Sequence, residues 1–204
     1  MTYLYTASRF GALALFLALP VFCENLTFLG EARGCFTDGC TPTEASSIRG
    51  VTYLGSTFGG TTSDGFLALG GEDNGFGKFA TQVVNQSYSR MPFTLLLNFF
   101  LPSGIGGNPL YYAATINGSL RTGAGGLSLI FDRNGPYSYS FETGSFDLVL
   151  NNLAVSPGGA ASINGFVTNA DSIPGSETPE LSSLIMLTSG LACIFLAKMK
   201  SLFV

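Results

Sequence analysis

Apolar and polar residues alternate over two neighbouring stretches of the chain. Tyr137, Tyr139 and Phe141 are separated by Ser138 and Ser140, and Phe146, Leu148 and Leu150 alternate with Asp147, Val149 and Asn151. A period of two sends successive side chains to opposite faces of a strand, so each stretch predicts a strand with one wet face. Similar short runs cover 51–58, 65–69, 110–120, 127–131 and 163–168, punctuated by Gly, Asn, Asp and Pro. Phe93 to Leu101 is almost continuously apolar, interrupted by Thr94 and Asn98, which predicts a strand buried on both faces. Asn117-Gly118 predicts a tight turn. Between Glu24 and Asn169 no segment carries a helical period, and no fixed-length repeat is present. Short strands with glycine-rich turns predict an all-β domain, an antiparallel β-sandwich over 24–169, of which a jelly roll is one version.

The two ends follow a different pattern. Arg9 and the amino terminus precede an uncharged run from Phe10 to Cys23, broken by Pro20. It is too short for a comfortable span and reads as the core of a signal peptide over 1–23, with cleavage near Cys23–Glu24. Cys23 also raises a lipidation reading, against which stands the bulky Phe22 before it. At the other end, Leu181 to Ala197 carries no charge and is apolar on every side. That length is at the short end of the ~17–25 residues that cross a bilayer core. Lys198 and Lys200 follow as a membrane stop, and basic residues beside a span favour the cytoplasmic side. The reading is a polar linker over 170–180 and a transmembrane helix with a basic end over 181–204, with the sandwich held outside. A helix buried in a soluble domain is the bland alternative.

Thr178-Pro179-Glu180-Leu181, followed by Ser182-Ser183, the apolar run and the lysines, resembles the PEP-CTERM sorting signal. In that family a Pro-Glu-Pro motif precedes a transmembrane helix and an arginine-rich tail. Here Leu181 stands where the second proline would be, and two lysines stand for the arginine cluster. The resemblance covers the C-terminal end alone. It implies a bacterial exported protein processed by an exosortase-type membrane enzyme, with Thr178, Pro179, Glu180 and Leu181 as the processing motif. It further implies association with the inner membrane before processing and with exopolysaccharide or biofilm matrix after it. The plain alternative is an unprocessed C-terminal anchor.

Composition narrows the middle. Only 11% of residues are charged, with a formal net charge of −4, and no basic patch interleaves with aromatic residues, which argues against nucleic-acid partners. Cys35 and Cys40 flank a turn-forming stretch, and in an oxidising compartment they read as a local disulfide. With 0 histidines and no second cysteine pair, neither a zinc site nor a histidine-based nucleophilic machine is available. No nucleotide-binding glycine motif stands between a strand and a helix, so no cofactor is expected. Carboxylates remain as candidate glycan-cleaving groups, which must work in pairs. The candidates are Glu72, Asp73, Glu142 and Asp147, and the last two read as acids on solvent faces of strands. Glu72-Asp73-Asn74-Gly75 is oxygen-rich enough to suggest calcium, although a bare acidic turn explains it better, since calcium needs about six to eight oxygens.

Two function classes follow. One is a non-catalytic cell-surface or matrix protein. The other is a carbohydrate-binding, lectin-like module or a carboxylate-based glycan-active domain on the same scaffold. A groove lined by Tyr and Phe with convergent carboxylates would favour the second.

Overall fold

A computed structural model describes residues 25–71, 74–133 and 135–172. The predicted signal peptide, the predicted transmembrane helix and the sorting motif lie outside the described residues. In chain order the strands are β1 (Thr27–Phe36), β2 (Ala45–Ile48), β3 (Val51–Leu54), β4 (Ser56–Thr61), β5 (Leu67–Leu69), β6 (Lys78–Thr81) and β7 (Gln86–Leu101). They continue with β8 (Leu110–Arg121), β9 (Ala124–Phe131), β10 (Tyr137–Phe141), β11 (Gly144–Leu150), β12 (Leu153–Val155), β13 (Ala160–Ser162) and β14 (Gly165–Ser172). The described residues are all-β, and every pairing between these strands is antiparallel.

The arrangement is sandwich-like. One layer is a six-stranded sheet in the order β12-β9-β8-β7-β1-β4; against it lie two four-stranded sheets, β10-β11-β14-β5 and β13-β6-β3-β2. Phe93, Leu95, Leu97 and Phe99 of β7 share one face, and all are buried. Both smaller sheets pack on that face. Phe99 and Phe28 meet Phe146 of β11, with ring centroids 5.8 and 4.9 Å apart. Farther along, Phe93 and Phe36 meet Phe79 of β6 at 4.9 and 6.0 Å. Tilted and edge-to-face contacts of this kind add about 0.5–1.5 kcal/mol per pair beyond simple burial.

β1 is the strand the sequence hides. Its alternation is interrupted by Gly30 and Gly34, yet both positions serve the aromatic core. A Cβ at Gly30 would run into the Phe58 ring, and one at Gly34 would lie 2.7 Å from ring atoms of both Phe93 and Tyr53. The glycines make room for neighbouring rings rather than ending the strand.

Four sequence expectations are corrected. The 51–58 stretch is two strands in different sheets. Gly55 lies at the break, its N–H bonded to the Glu44 carbonyl at 2.6 Å, and a Cβ there would strike the backbone oxygen of Ala32. β7 is buried on one face only, since Phe100 is 48% exposed and Thr94, Leu96 and Asn98 are half-buried. Asn117-Gly118 is no turn: β8 runs through it to Arg121, and the β8–β9 reversal falls at Thr122-Gly123, where Gly123 takes a φ of 75°. β14 continues to Ser172, past the expected boundary at Asn169, because Ala170 is buried and its N–H bonds the Gly65 carbonyl at 3.1 Å.

The two ends of the described domain converge on one turn. Leu26 and Thr62 exchange hydrogen bonds, Leu26 N–H to Thr62 Oγ1 and Thr62 N–H to the Leu26 carbonyl, each at 2.8 Å. Three residues beyond Thr62, Gly65 receives Ala170.

Candidate functional site

Cys35 and Cys40 are bonded to each other, with their Cα atoms 6.1 Å apart. Cys35 lies near the end of β1, beside the core residue Phe36, and is 3% exposed. The bridge closes a reversal in which Thr37 and Gly39 both take positive φ, 83° and 69°. Thr43 then returns beside Gly34, and their backbones exchange two hydrogen bonds. This bridge pins one loop to β1 and spans no sheet-to-sheet gap.

Of the candidate carboxylates, Glu142 and Asp147 are among the described residues. Glu72 and Asp73 lie outside the described residues, as do Thr178, Pro179, Glu180, Leu181, Lys198 and Lys200. Glu142 occupies the short turn between β10 and β11 rather than a strand face. Asp147 is on β11, where its carboxylate accepts Asn169 Nδ2 at 2.8 Å. Hydrogen bonds from Ser138 and then Asn169 hold its pKa below the usual aspartate value. A general acid for glycan cleavage needs the opposite shift. Among the described residues, no three of His, Cys, Asp and Glu stand together as a metal-binding group.

A polar network that sequence reading missed crosses the outer face of the large sheet. Arg33 Nη2 lies 3.2 Å from Glu31 Oε1 and 4.0 Å from Glu44 Oε1. Asn98 Nδ2 donates to the same Glu31 oxygen at 3.2 Å, and Asn108 Nδ2 donates to Asn98 Oδ1 at 3.3 Å. Glu31 and Glu44 also line a concavity of about 270 Å³ with Ser56 and Thr57. One guanidinium serves both carboxylates, Glu31 closely and the exposed Glu44 at the limit of contact, so this hollow is an ion-paired surface that keeps a net negative charge rather than a pair of free acids.

Between the sheets, Tyr112 of β8 and Tyr139 of β10 share a hydroxyl–hydroxyl hydrogen bond of 2.7 Å. Burial, and then the bond to Tyr139, push the Tyr112 pKa far up. Tyr137 stands edge-on to Tyr112 with centroids 4.8 Å apart and carries the Arg133 guanidinium 5.1 Å from its own ring centre. These tyrosines join the layers, with Tyr112 itself 1% exposed, and present no open stacking platform.

A concavity lies over β8, β9 and β12. It measures about 460 Å³, and its lining includes Asn117, Gly118, Gly125, Gly126, Ser128 and Ser156. A second, of about 270 Å³, shares Gly125 with it and is lined by Arg121, Thr122, Gly123, Val83 and Pro157. The floor is low because glycines replace side chains: a Cβ at Gly125 would sit 2.6 Å from the Ser119 carbonyl oxygen. Ser128 Oγ donates to the Asn117 carbonyl at 3.4 Å, and Asn117 Oδ1 accepts the Arg90 N–H at 2.8 Å. The Gly123-Ala124-Gly125-Gly126 run is the sequence signal for this hollow.

The chain matches no protein-family model, no curated protein and no solved structure.

Proposed function

We propose that this is an exported, non-catalytic cell-surface or matrix protein, a jelly-roll-like sandwich carried between an N-terminal signal peptide and a C-terminal sorting segment. The observation that carries the reading is the order Thr178-Pro179-Glu180-Leu181, apolar run, Lys198 and Lys200. An exosortase-type enzyme at the inner membrane would cut close to Pro179-Glu180 and release the sandwich, with exopolysaccharide as its surroundings. Support comes from the Cys35–Cys40 bridge, a bond suited to an oxidising compartment. The convergence of Leu26 and Ala170 on the Thr62–Gly65 turn also supports it. A domain whose two ends leave from one place can be held by one end without hiding its far side. Asp147 has neutral hydrogen-bond partners and a lowered pKa, which favours a non-catalytic role over acid–base cleavage.

The test is intact-mass analysis of the native protein after cell fractionation, with Glu180→Ala alongside. The expected mature form lacks Leu184 to Val204, and Glu180→Ala leaves an uncut, membrane-bound precursor. Retention of Val204 in a strain with an active exosortase would make the segment a plain tail anchor.

A further inference from the structure

We infer that the glycine-floored groove over β8, β9 and β12 binds an anionic polysaccharide, a chain of sugars bearing carboxylates. This deepens the surface-protein reading by naming a ligand class, and it rests on that reading only for where the ligand is met.

The first observation is charge. The chain carries 13 acidic and 9 basic residues, yet among the described residues no Asp or Glu lines either half of the groove. Arg121 lines it directly and is exposed. Its Nη2 has a single weak neutral partner, Ser87 Oγ at 3.3 Å. Among the described residues, Arg121 has no carboxylate within ion-pair distance, whereas Arg33 has two. An unpaired guanidinium presents a planar fork of donors suited to a carboxylate.

The second observation is shape and lining. Gly118, Gly125 and Gly126 hollow the sheet face, and a flat sugar ring can approach backbone there without meeting side chains. The Asn117 amide oxygen is already bonded to Arg90 N–H, which leaves its Nδ2 as a donor. Ser156, exposed at the opposite wall, supplies a hydroxyl. Amide and hydroxyl groups on the walls with guanidinium at one end match sugar hydroxyls and a carboxylate. Among the described residues no aromatic ring lines either half, so the groove offers no stacking platform to a sugar or a base, and its contacts are polar and charged alone.

The experiment is affinity electrophoresis of the full chain in neutral detergent, through gels containing polygalacturonate, dextran or duplex DNA. The assay needs no sorting step, so its failure is separate from failure of the processing reading. Polygalacturonate should retard the wild type at low salt and release it as salt rises. Arg121→Ala should weaken retention about threefold, the scale of an exposed charge contact. Arg133→Ala, which removes equal charge elsewhere, should leave retention unchanged. The proposal is overturned by no retardation in polygalacturonate, by equal retardation in dextran or DNA, or by loss in Arg133→Ala equal to that in Arg121→Ala.

Discussion

The hydroxyl of Tyr53 donates to the main-chain carbonyl of Phe76 at 3.0 Å inside the core, where both residues are 0% exposed. The bond ties β3 to the loop ahead of β6. Phe76 also donates its N–H to the Ile163 carbonyl at 2.8 Å, so the same residue anchors the approach to β14. Tyr53→Phe keeps the ring contacts to Phe79 and Phe93 and removes only the donor. The stranded carbonyl should cost about 1–3 kcal/mol, read as a lower urea midpoint with unchanged slope. An unchanged midpoint would mean that water satisfies the carbonyl.

The tyrosines also set a pH dependence. Burial raises the pKa of both Tyr53 and Tyr112 above the ordinary value of 10.0. Below that value both folded and unfolded chains keep the proton, and the stabilising contribution is full. Above it the unfolded chain ionises while the folded one does not, so stability falls as pH rises. Each such group contributes a slope of about 1.4 kcal/mol per pH unit. Tyr112→Phe should therefore lose the Tyr139 hydrogen bond at neutral pH yet show a shallower decline above about pH 10 than the wild type. Urea titrations across that range measure it, and parallel slopes would remove Tyr112 as a source.

The disulfide should act locally. Closing so short a loop restricts the unfolded chain by about 2 kcal/mol. Cys35 is 3% exposed whereas Cys40 is half-buried, so Cys40→Ala leaves less of a hole than Cys35→Ala. Cys40→Ala should lower stability by about 2 kcal/mol while the far-ultraviolet spectrum stays that of a β-protein. Peptide mapping of the native protein should return one Cys35–Cys40 linked peptide. Two freely alkylated thiols in freshly isolated protein would rule the bridge out.

Legibility in the sequence tracked how each strand meets its neighbours. β10 and β11 could be read directly, because one face of each meets the core and the other meets solvent. β1 could not, since Gly30 and Gly34 break its pattern to admit rings from Phe58, Tyr53 and Phe93, which are remote in sequence. β7 misled because Leu96 and Phe100 put apolar groups on a face that the smaller sheets leave uncovered. The cysteine bridge was legible from local spacing and residue type. The groove was legible only in its Gly123-Ala124-Gly125-Gly126 run, since the rest depends on the β8–β9–β12 register and on Arg121 having no acid beside it. Those are facts of pairing that no local pattern encodes.

The same register gives a sharp contrast between two glycines. Gly118 has a φ of 127°, where side chains are strained, and a Cβ there would strike the carbonyl oxygen of Gly126 on the neighbouring strand. The obstacle is backbone in the middle of a ladder, so it cannot swing aside as a side chain would. Gly118→Ala must spread β8 from β9 or break the Asn117–Ser128 pairing, at a cost of about 2 kcal/mol or more. Gly126 has no such backbone demand, and a Cβ there meets only the Val155 carbonyl oxygen, at 3.3 Å. β12 is a short edge strand that can yield by a few tenths of an ångström, so Gly126→Ala should cost less than about 1 kcal/mol. Urea unfolding of the two variants side by side tests the register. Equal stabilities would mean that β8 and β9 are not held as close as Gly118 requires.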